Sequence, residues 1–152
     1  MEAFRSQNGL YDLFKSKVGT VSYTTINGKD VFGSNSTSPM YYKSDQLAAD
    51  ALRDRLISKA PRIFKSDNVG EMPNDALYHA DTTVLLRAAK EKGGSLAGET
   101  LVVHSDKEMC NNCRTALPYA GVEVGNPTVT YVEPNGIRRT MRDGHWIDVE
   151  RP

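Results

Sequence analysis

The sequence predicts an α/β domain. Three observations carry that expectation. Short runs rich in Val, Thr and Tyr alternate along the chain with helical stripes of Leu and Ala. An Asn27-Gly28 pair separates two of the strand-like runs, a strong two-residue hairpin signal. Finally, strand-like Thr100–His104, a helical segment and strand-like Thr128–Val132 follow one another, the order of a crossover between parallel strands.

Taken in order, Val18–Ile26 (VGTVSYTTI) has strand chemistry, and Lys29–Gly33 (KDVFG) can return beside it as the second arm of a hairpin. Ser34–Pro39 is a polar loop. Ser44 or Asp45 can then cap a helix running to about Lys59, with Leu47, Ala48, Ala51, Leu52, Arg55 and Leu56 at helical spacing and Pro61 as its stop. Arg62–Tyr78 reads as irregular, broken by Gly70, Pro73, Asn74 and Asp75. A second helix covers roughly Ala80–Lys92 and ends at Gly93-Gly94. Thr100–His104 (TLVVH) fits a buried strand, and a third helix begins near Cys110 and ends or kinks at Pro118. Thr128–Val132 is a strand, Pro134-Asn135-Gly136 a turn, and Ile137–Met141 its antiparallel partner. Asp143-Gly144 then precedes a last short segment, His145–Val149.

The 152 residues suffice for one domain with its own core. With 39% hydrophobic and 25% charged residues, the composition is that of a folded globular protein rather than a disordered chain. Lys plus Arg equals Asp plus Glu at 19 each, so any nucleic-acid contact must come from a local patch rather than a global field. No apolar run approaches the roughly 20 residues that span a bilayer, so no membrane partner is expected. The first residues, MEAFRSQNGLYDLF, hold no apolar stretch of signal-peptide length and read as the cut end of a longer protein or the start of an expressed fragment. The two cysteines, spaced Cys-x-x-Cys, argue for a metal pair or a redox pair over a disulfide framework.

The residues that carry chemistry fall in two places. His79-Ala80-Asp81 opens one helix, and Cys110-Asn111-Asn112-Cys113 opens the next after an intervening strand. Three ligands, His79, Cys110 and Cys113, leave the fourth position of a tetrahedral Zn²⁺ to water, the catalytic rather than the structural arrangement. Zinc lowers the pKa of such a water toward neutrality. Two helix N-termini directed at the site would favour the thiolates and the hydroxide. Asp81, two residues after the histidine and outside the metal's ligand set, is spaced to take a proton from the water and return it to the leaving group.

The pattern His79-x-Asp81, a 28-residue gap, then Cys110-x-x-Cys113 resembles the H-x-E…P-C-x-x-C signature of the zinc-dependent cytidine deaminase superfamily. The stretch Tyr78–Val132 is similar, more narrowly, to the deaminase domains at the C-termini of bacterial polymorphic toxins. The likeness covers roughly the last two-thirds of the chain, and the N-terminal hairpin fits by order alone. It implies a cytidine-deaminase-like, mixed five-stranded sheet flanked by helices, with residues 1–152 forming one domain, the C-terminal piece of a longer toxin. It implies a base read in part by the backbone N–H of Ala80, and hydrolytic deamination of cytosine to uracil in single-stranded DNA. It further implies a cognate immunity protein, and delivery to the cytoplasm of a target bacterium. Two departures stand out. The acid is Asp81 rather than Glu, one methylene shorter, so that it needs a backbone adjustment to reach the water. Met109 stands where the family usually has Pro.

Other readings stay open at this level. An RNA, adenine or free-nucleoside deaminase would use the same zinc chemistry. A non-enzymatic zinc or interaction domain would recruit His104 or His145 as a fourth ligand, and Asp81 would then be an ordinary first-turn acid. A redox dithiol would leave His79-x-Asp81 unexplained. Arg138, Arg139 and Arg142 with Trp146 form a candidate patch for DNA backbone contact and base stacking, against the alternative of charged residues guarding an edge strand. Tyr41-Tyr42-Lys43 is a second aromatic-basic cluster. Asp50, Arg53, Asp54 and Arg55 read as a solvated helix face.

Overall fold

A computed structural model describes residues 20–65 and 73–152. The start of the first expected strand at Val18, the stretch MEAFRSQNGLYDLF and the breaker Gly70 lie outside the described residues. The chain forms β1 (Val21–Ile26), β2 (Lys29–Ser34), α1 (Lys43–Lys59), α2 (Pro73–Ala76), α3 (Ala80–Glu91), β3 (Thr100–Ser105), α4 (Asn111–Glu123), β4 (Thr128–Val132), β5 (Arg138–Arg142) and β6 (His145–Glu150). The strands make one mixed sheet in the order β2-β1-β3-β4-β5-β6. β3 and β4 run parallel on either side of α4, as the strand-helix-strand order predicts.

Among the described residues the sheet has six strands, not the five expected. The last segment turns tightly through Asp143 and Gly144, both with positive φ (55° and 80°), and returns as β6 antiparallel to β5. A bulge between Thr140 and Met141 leaves Ile147 as the extra residue. Every β6 residue except half-buried Trp146 is exposed, so the strand carries no burial-driven alternation for a sequence reading to find.

α3 and α4 pack on one face of the sheet and α1 lies against both. The alternation along β3 shows how the sheet divides. Leu101, Val103 and Ser105 are buried against the helices, whereas Thr100 and Val102 are exposed, so among the described residues β3 is covered on one face rather than two. Val84, Ala88, Leu117, Val129 and Tyr131 are fully buried between sheet and helices and form the centre of the core.

The helices correct three expectations. α1 begins at Lys43 behind Tyr42, and Asp45 sits in its first turn, accepting the Tyr42 N–H at 2.8 Å. Its buried stripe is Asp45, Ala49, Leu52 and Leu56, while Leu47 is 59% exposed. Asp45 sets that rotation because it grips Arg87 of α3 through Nε (2.8 Å) and a terminal nitrogen (2.6 Å), with the guanidinium between the Phe32 and Tyr42 rings. The segment before His79 is not wholly irregular, since α2 forms within it.

The third correction concerns Pro118. α4 runs straight through it to Glu123. Proline has no N–H for the carbonyl four residues back, Arg114, which would ordinarily end the helix. Trp146 Nε1 donates to that carbonyl at 2.7 Å instead, so the helix continues.

Candidate metal centre

His79 and Cys110 occupy equivalent places, each the extended residue that caps a helix: His79 that of α3 and Cys110 that of α4. Cys110 Sγ accepts the N–H of Cys113 at 3.3 Å. Both sites of chemistry therefore stand at the positive ends of helix dipoles, as expected. The fold brings the two together. His79 Nδ1 lies 3.4 Å from Cys113 Sγ and 3.7 Å from Cys110 Sγ. The three donor atoms all fall within 4.8 Å of one another and could hold a metal ion. Among the described residues no fourth His, Cys, Asp or Glu joins them. His104 is stacked on Tyr23 in β1, with ring centroids 5.1 Å apart, and His145 is exposed at the start of β6.

The electrostatics of the three side chains follow from these contacts. The Cys113 thiol, then His79 and the Cys113 N–H, stabilise a thiolate at Cys110 and pull it down to about 4, against the upward push of burial. The same hydrogen bond, with burial, pushes the Cys113 thiol up. Contact with Cys110 raises His79 despite its burial, and Asp75 adds to the effect.

Asp81 is 6% exposed. Burial pushes its carboxyl up, and hydrogen bonds from Ser105 and Ser22 oppose that push without cancelling it. Ser22 Oγ and Ser105 Oγ both donate to Asp81 Oδ1 at 2.5 Å. The Tyr131 hydroxyl donates to the Asp81 backbone carbonyl at 2.9 Å. Residues of three adjacent strands, β1, β3 and β4, thus hold this one aspartate. The shorter acid is seated against the sheet.

Asp81, His79, Ala80, Cys110 and Cys113 line a cavity of about 150 Å³, walled also by Thr20, Asn35, Lys107 and Glu108. The N–H of Ala80, expected to read a base, donates to Asn35 Oδ1 at 3.0 Å in this structure. A larger cavity, about 570 Å³, opens around Arg87 between β2, α1 and α3; of the residues singled out in the sequence as chemistry or contact candidates, it is lined by Tyr42 and by none of the metal-site residues.

Apart from Ala80, the candidate substrate-contact residues are dispersed, and none of the others lines the cavity around His79. Trp146 props α4 through Arg114 and meets Tyr131 edge-on, so its ring belongs to the fold. Arg139 is 15% exposed and pairs with buried Glu133 at 3.4 Å. Arg138 is exposed, and β5 sets it beside Val132, the register neighbour of His104, at the end of the sheet where the site lies. Arg142 sits at the other end of β5, 3.5 Å from Asp143. Tyr42 covers Arg87, and the Arg53 ion pairs with Asp50 and Asp54 match the expected solvated helix face.

Sequence reasoning missed five residues that shape the site. Ser22 and Ser105 are small polar residues at inward positions of strands, a signal visible only once the faces are assigned. Asn35 looked like loop. Asp75, four residues before His79, places Oδ2 3.0 Å from His79 Nε2. Glu133, 4% exposed, accepts the Met109 N–H at 2.6 Å. A proline at Met109 would have no such N–H, so Glu133 answers the departure noted in the sequence. No protein-family model matches the chain, and a search of curated proteins returns no relative.

Proposed function

We propose that this protein is a zinc-dependent deaminase that converts cytosine to uracil in single-stranded DNA. The observation that carries the reading is one juxtaposition: a buried, hydroxyl-held carboxylate, Asp81, lines the same small cavity as the donors of His79, Cys110 and Cys113. Zinc fits the donor set. Tetrahedral bonds of about 2.3 Å to sulfur and about 2.0 Å to nitrogen set those atoms roughly 3.5 Å apart. The spacings here are 3.4 and 3.7 Å. Bound there, zinc would supply Lewis-acid activation of water at neutral pH.

The remaining work falls to the protein. Asp81 takes one proton of the attacking water on its carboxylate and passes it to N3 of the ring, then takes the second proton from the hydroxyl now on C4 and delivers it to the departing amino group. Water is consumed, ammonia leaves, and the exocyclic C–N bond becomes a carbonyl. A carboxyl raised by burial suits both directions of that transfer. The cavity, about 150 Å³, is well below the volume that encloses a drug-sized ligand, so it suits a single ring whose sugar stays outside. That favours a base presented on a polymer over an engulfed nucleoside. Single-stranded DNA as the polymer, a role as an interbacterial toxin acting in the recipient's cytoplasm, and a cognate immunity protein rest on the resemblance to toxin deaminase domains.

The deciding experiment incubates zinc-loaded protein with a cytosine-containing single-stranded oligonucleotide and measures uracil. Uracil is expected from the parent and from neither Asp81→Ala nor Cys110→Ala, while Asp81→Ala still binds zinc. Zinc-loaded parent that forms neither uracil in DNA, RNA or cytidine nor the deaminated product of adenine would overturn the enzymatic reading. Activity on cytidine but not on oligonucleotides would replace the polymer with a nucleoside.

A further inference from the structure

An imidazole can present either ring nitrogen to a metal, and something must choose. His79 turns Nδ1 toward the two sulfurs and Nε2 toward Asp75 Oδ2, 3.0 Å away. We propose that Asp75 is a positioning residue, which fixes the tautomer and ring orientation that leave the Nδ1 lone pair free for zinc. The inference rests on the reading of His79, Cys110 and Cys113 as zinc ligands. A neutral imidazole has one N–H. With that hydrogen on Nε2 it is donated to the Asp75 carboxylate, and Nδ1 is a ligand. With the hydrogen on Nδ1, the lone pair of Nε2 faces a carboxylate oxygen, an electrostatic conflict, and zinc loses its nitrogen. Carboxylates behind metal-binding imidazoles act in this way in general.

The backbone holds Asp75 in place for the task. The adjoining Ala76 and Leu77 are fully buried. Asn74 Nδ2 donates to the Lys65 carbonyl at 2.7 Å, and the Tyr78 hydroxyl donates to Asp50 at 2.5 Å. The N–H groups of Leu77, Tyr78 and His79 each bond three residues back, to Asn74, Asp75 and Ala76, so tight turns carry the chain from the carboxylate to the ring. The Asp75 side chain is 40% exposed, so water screens its charge. Its contribution is orientation more than attraction, and an effect of about tenfold on zinc affinity, the low end of the usual range, is expected.

The test measures zinc affinity by competition with a chromophoric chelator for the parent, Asp75→Ala and Asp75→Asn. Long-range ¹H–¹⁵N spectra of the zinc-loaded proteins report which nitrogen of His79 is bound. Asp75→Ala should bind zinc about tenfold more weakly, with its metal-free urea midpoint little changed. Asp75→Asn keeps an acceptor for Nε2–H, so it should fall between parent and Asp75→Ala, with Nδ1 still the ligand. Parent-level affinity in both variants, or zinc on Nε2 in the parent, overturns the role of Asp75 while leaving the zinc site standing. A parent that takes up no zinc overturns the metal reading itself, and this inference with it.

Discussion

Trp146 Nε1 donates to the Arg114 carbonyl at 2.7 Å, the carbonyl that Pro118 leaves without its helical partner. A residue of the edge strand therefore repairs the helix that begins with Cys110. Trp146→Phe keeps most of the ring contact with Tyr131 and removes the donor, and should cost about 1–2 kcal/mol in urea unfolding. Pro118→Ala supplies a backbone N–H to the same carbonyl. In the double variant, most of the cost of Trp146→Phe should therefore vanish. Additive effects of the two substitutions would count against this coupling.

Ser22 and Ser105 both hold Asp81 Oδ1. These hydrogen bonds favour the charged carboxylate, while burial disfavours it. Removing either hydroxyl lets burial act with less opposition, so the Asp81 carboxyl rises further. If deamination needs the carboxylate, the acid limb of the kcat/KM profile moves to higher pH in Ser22→Ala and Ser105→Ala. One hydrogen bond to a charged group is worth about a factor of ten. Activity should therefore fall by up to about that factor on the acid limb and by progressively less as pH rises above it. A profile lowered uniformly at all pH values would assign the serines to packing instead.

Glu133 joins three things: it is buried, it accepts the Met109 N–H at 2.6 Å, and it pairs with Arg139 at 3.4 Å. Glu133→Leu orphans a buried N–H beside Cys110 and leaves Arg139, itself only 15% exposed, without its carboxylate. The expected loss is about 3 kcal/mol of stability, together with weaker zinc binding. Glu133→Gln keeps an acceptor for Met109 and should lose less of both. Unaltered zinc affinity in Glu133→Leu would show that the loop before Cys110 is held by other contacts.

Gly33, in β2, passes close under the first turn of α3. A Cβ there would meet Ala80 O and Val84 N at 2.5 Å. Both atoms are backbone, so the helix or the strand must move. Gly33→Ala should cost about 3 kcal/mol and, by shifting the helix that His79 caps, weaken zinc binding as well. Thermal unfolding and chelator competition measure the two effects. A neutral substitution would mean that the hairpin can slide away from α3.

With Cys110 held down to about 4 in the metal-free protein, its thiolate persists at pH 5 to 6, where an ordinary cysteine is protonated. Alkylation by iodoacetamide should modify one cysteine with a rate that stays on its plateau down to about pH 5. Cys113, buried and pushed up, should lag behind. Zinc should protect both. A rate that falls away below pH 8 would show that Cys110 is an ordinary thiol.

How much of this was legible in the sequence depended on the distance over which each feature is determined. His79-x-Asp81 and Cys110-x-x-Cys113 were readable because ligands at two helix starts are set by spacing within a few residues. The hairpin at Asn27-Gly28 and the bounds of α3 were readable because turn and stop chemistry is local. The stripe of α1 was misread because its register is set by Arg87, 42 residues from Asp45. β6 was missed as a strand because an edge exposed on both faces needs no pattern.

Taken alone, the sequence determined the α/β class, the order of elements up to β5 apart from α2, and the three candidate ligands with the candidate acid Asp81. Only the tertiary structure decided what surrounds them. Ser22 and Asp81 are 59 residues apart, Tyr131 and Asp81 are 50 apart, and Trp146 and Arg114 are 32 apart. No periodicity of 2.0 or 3.6 residues reaches so far. Such partners meet because the strand order β2-β1-β3-β4-β5-β6 lays β1, β3 and β4 side by side, with Ser22, Ser105 and Tyr131 in reach of Asp81 in the first turn of α3, and sets β6 beside α4. Two of the candidate substrate-contact residues, Arg139 and Trp146, have structural partners that no local pattern announces, since the sheet sets them against Glu133 and Arg114.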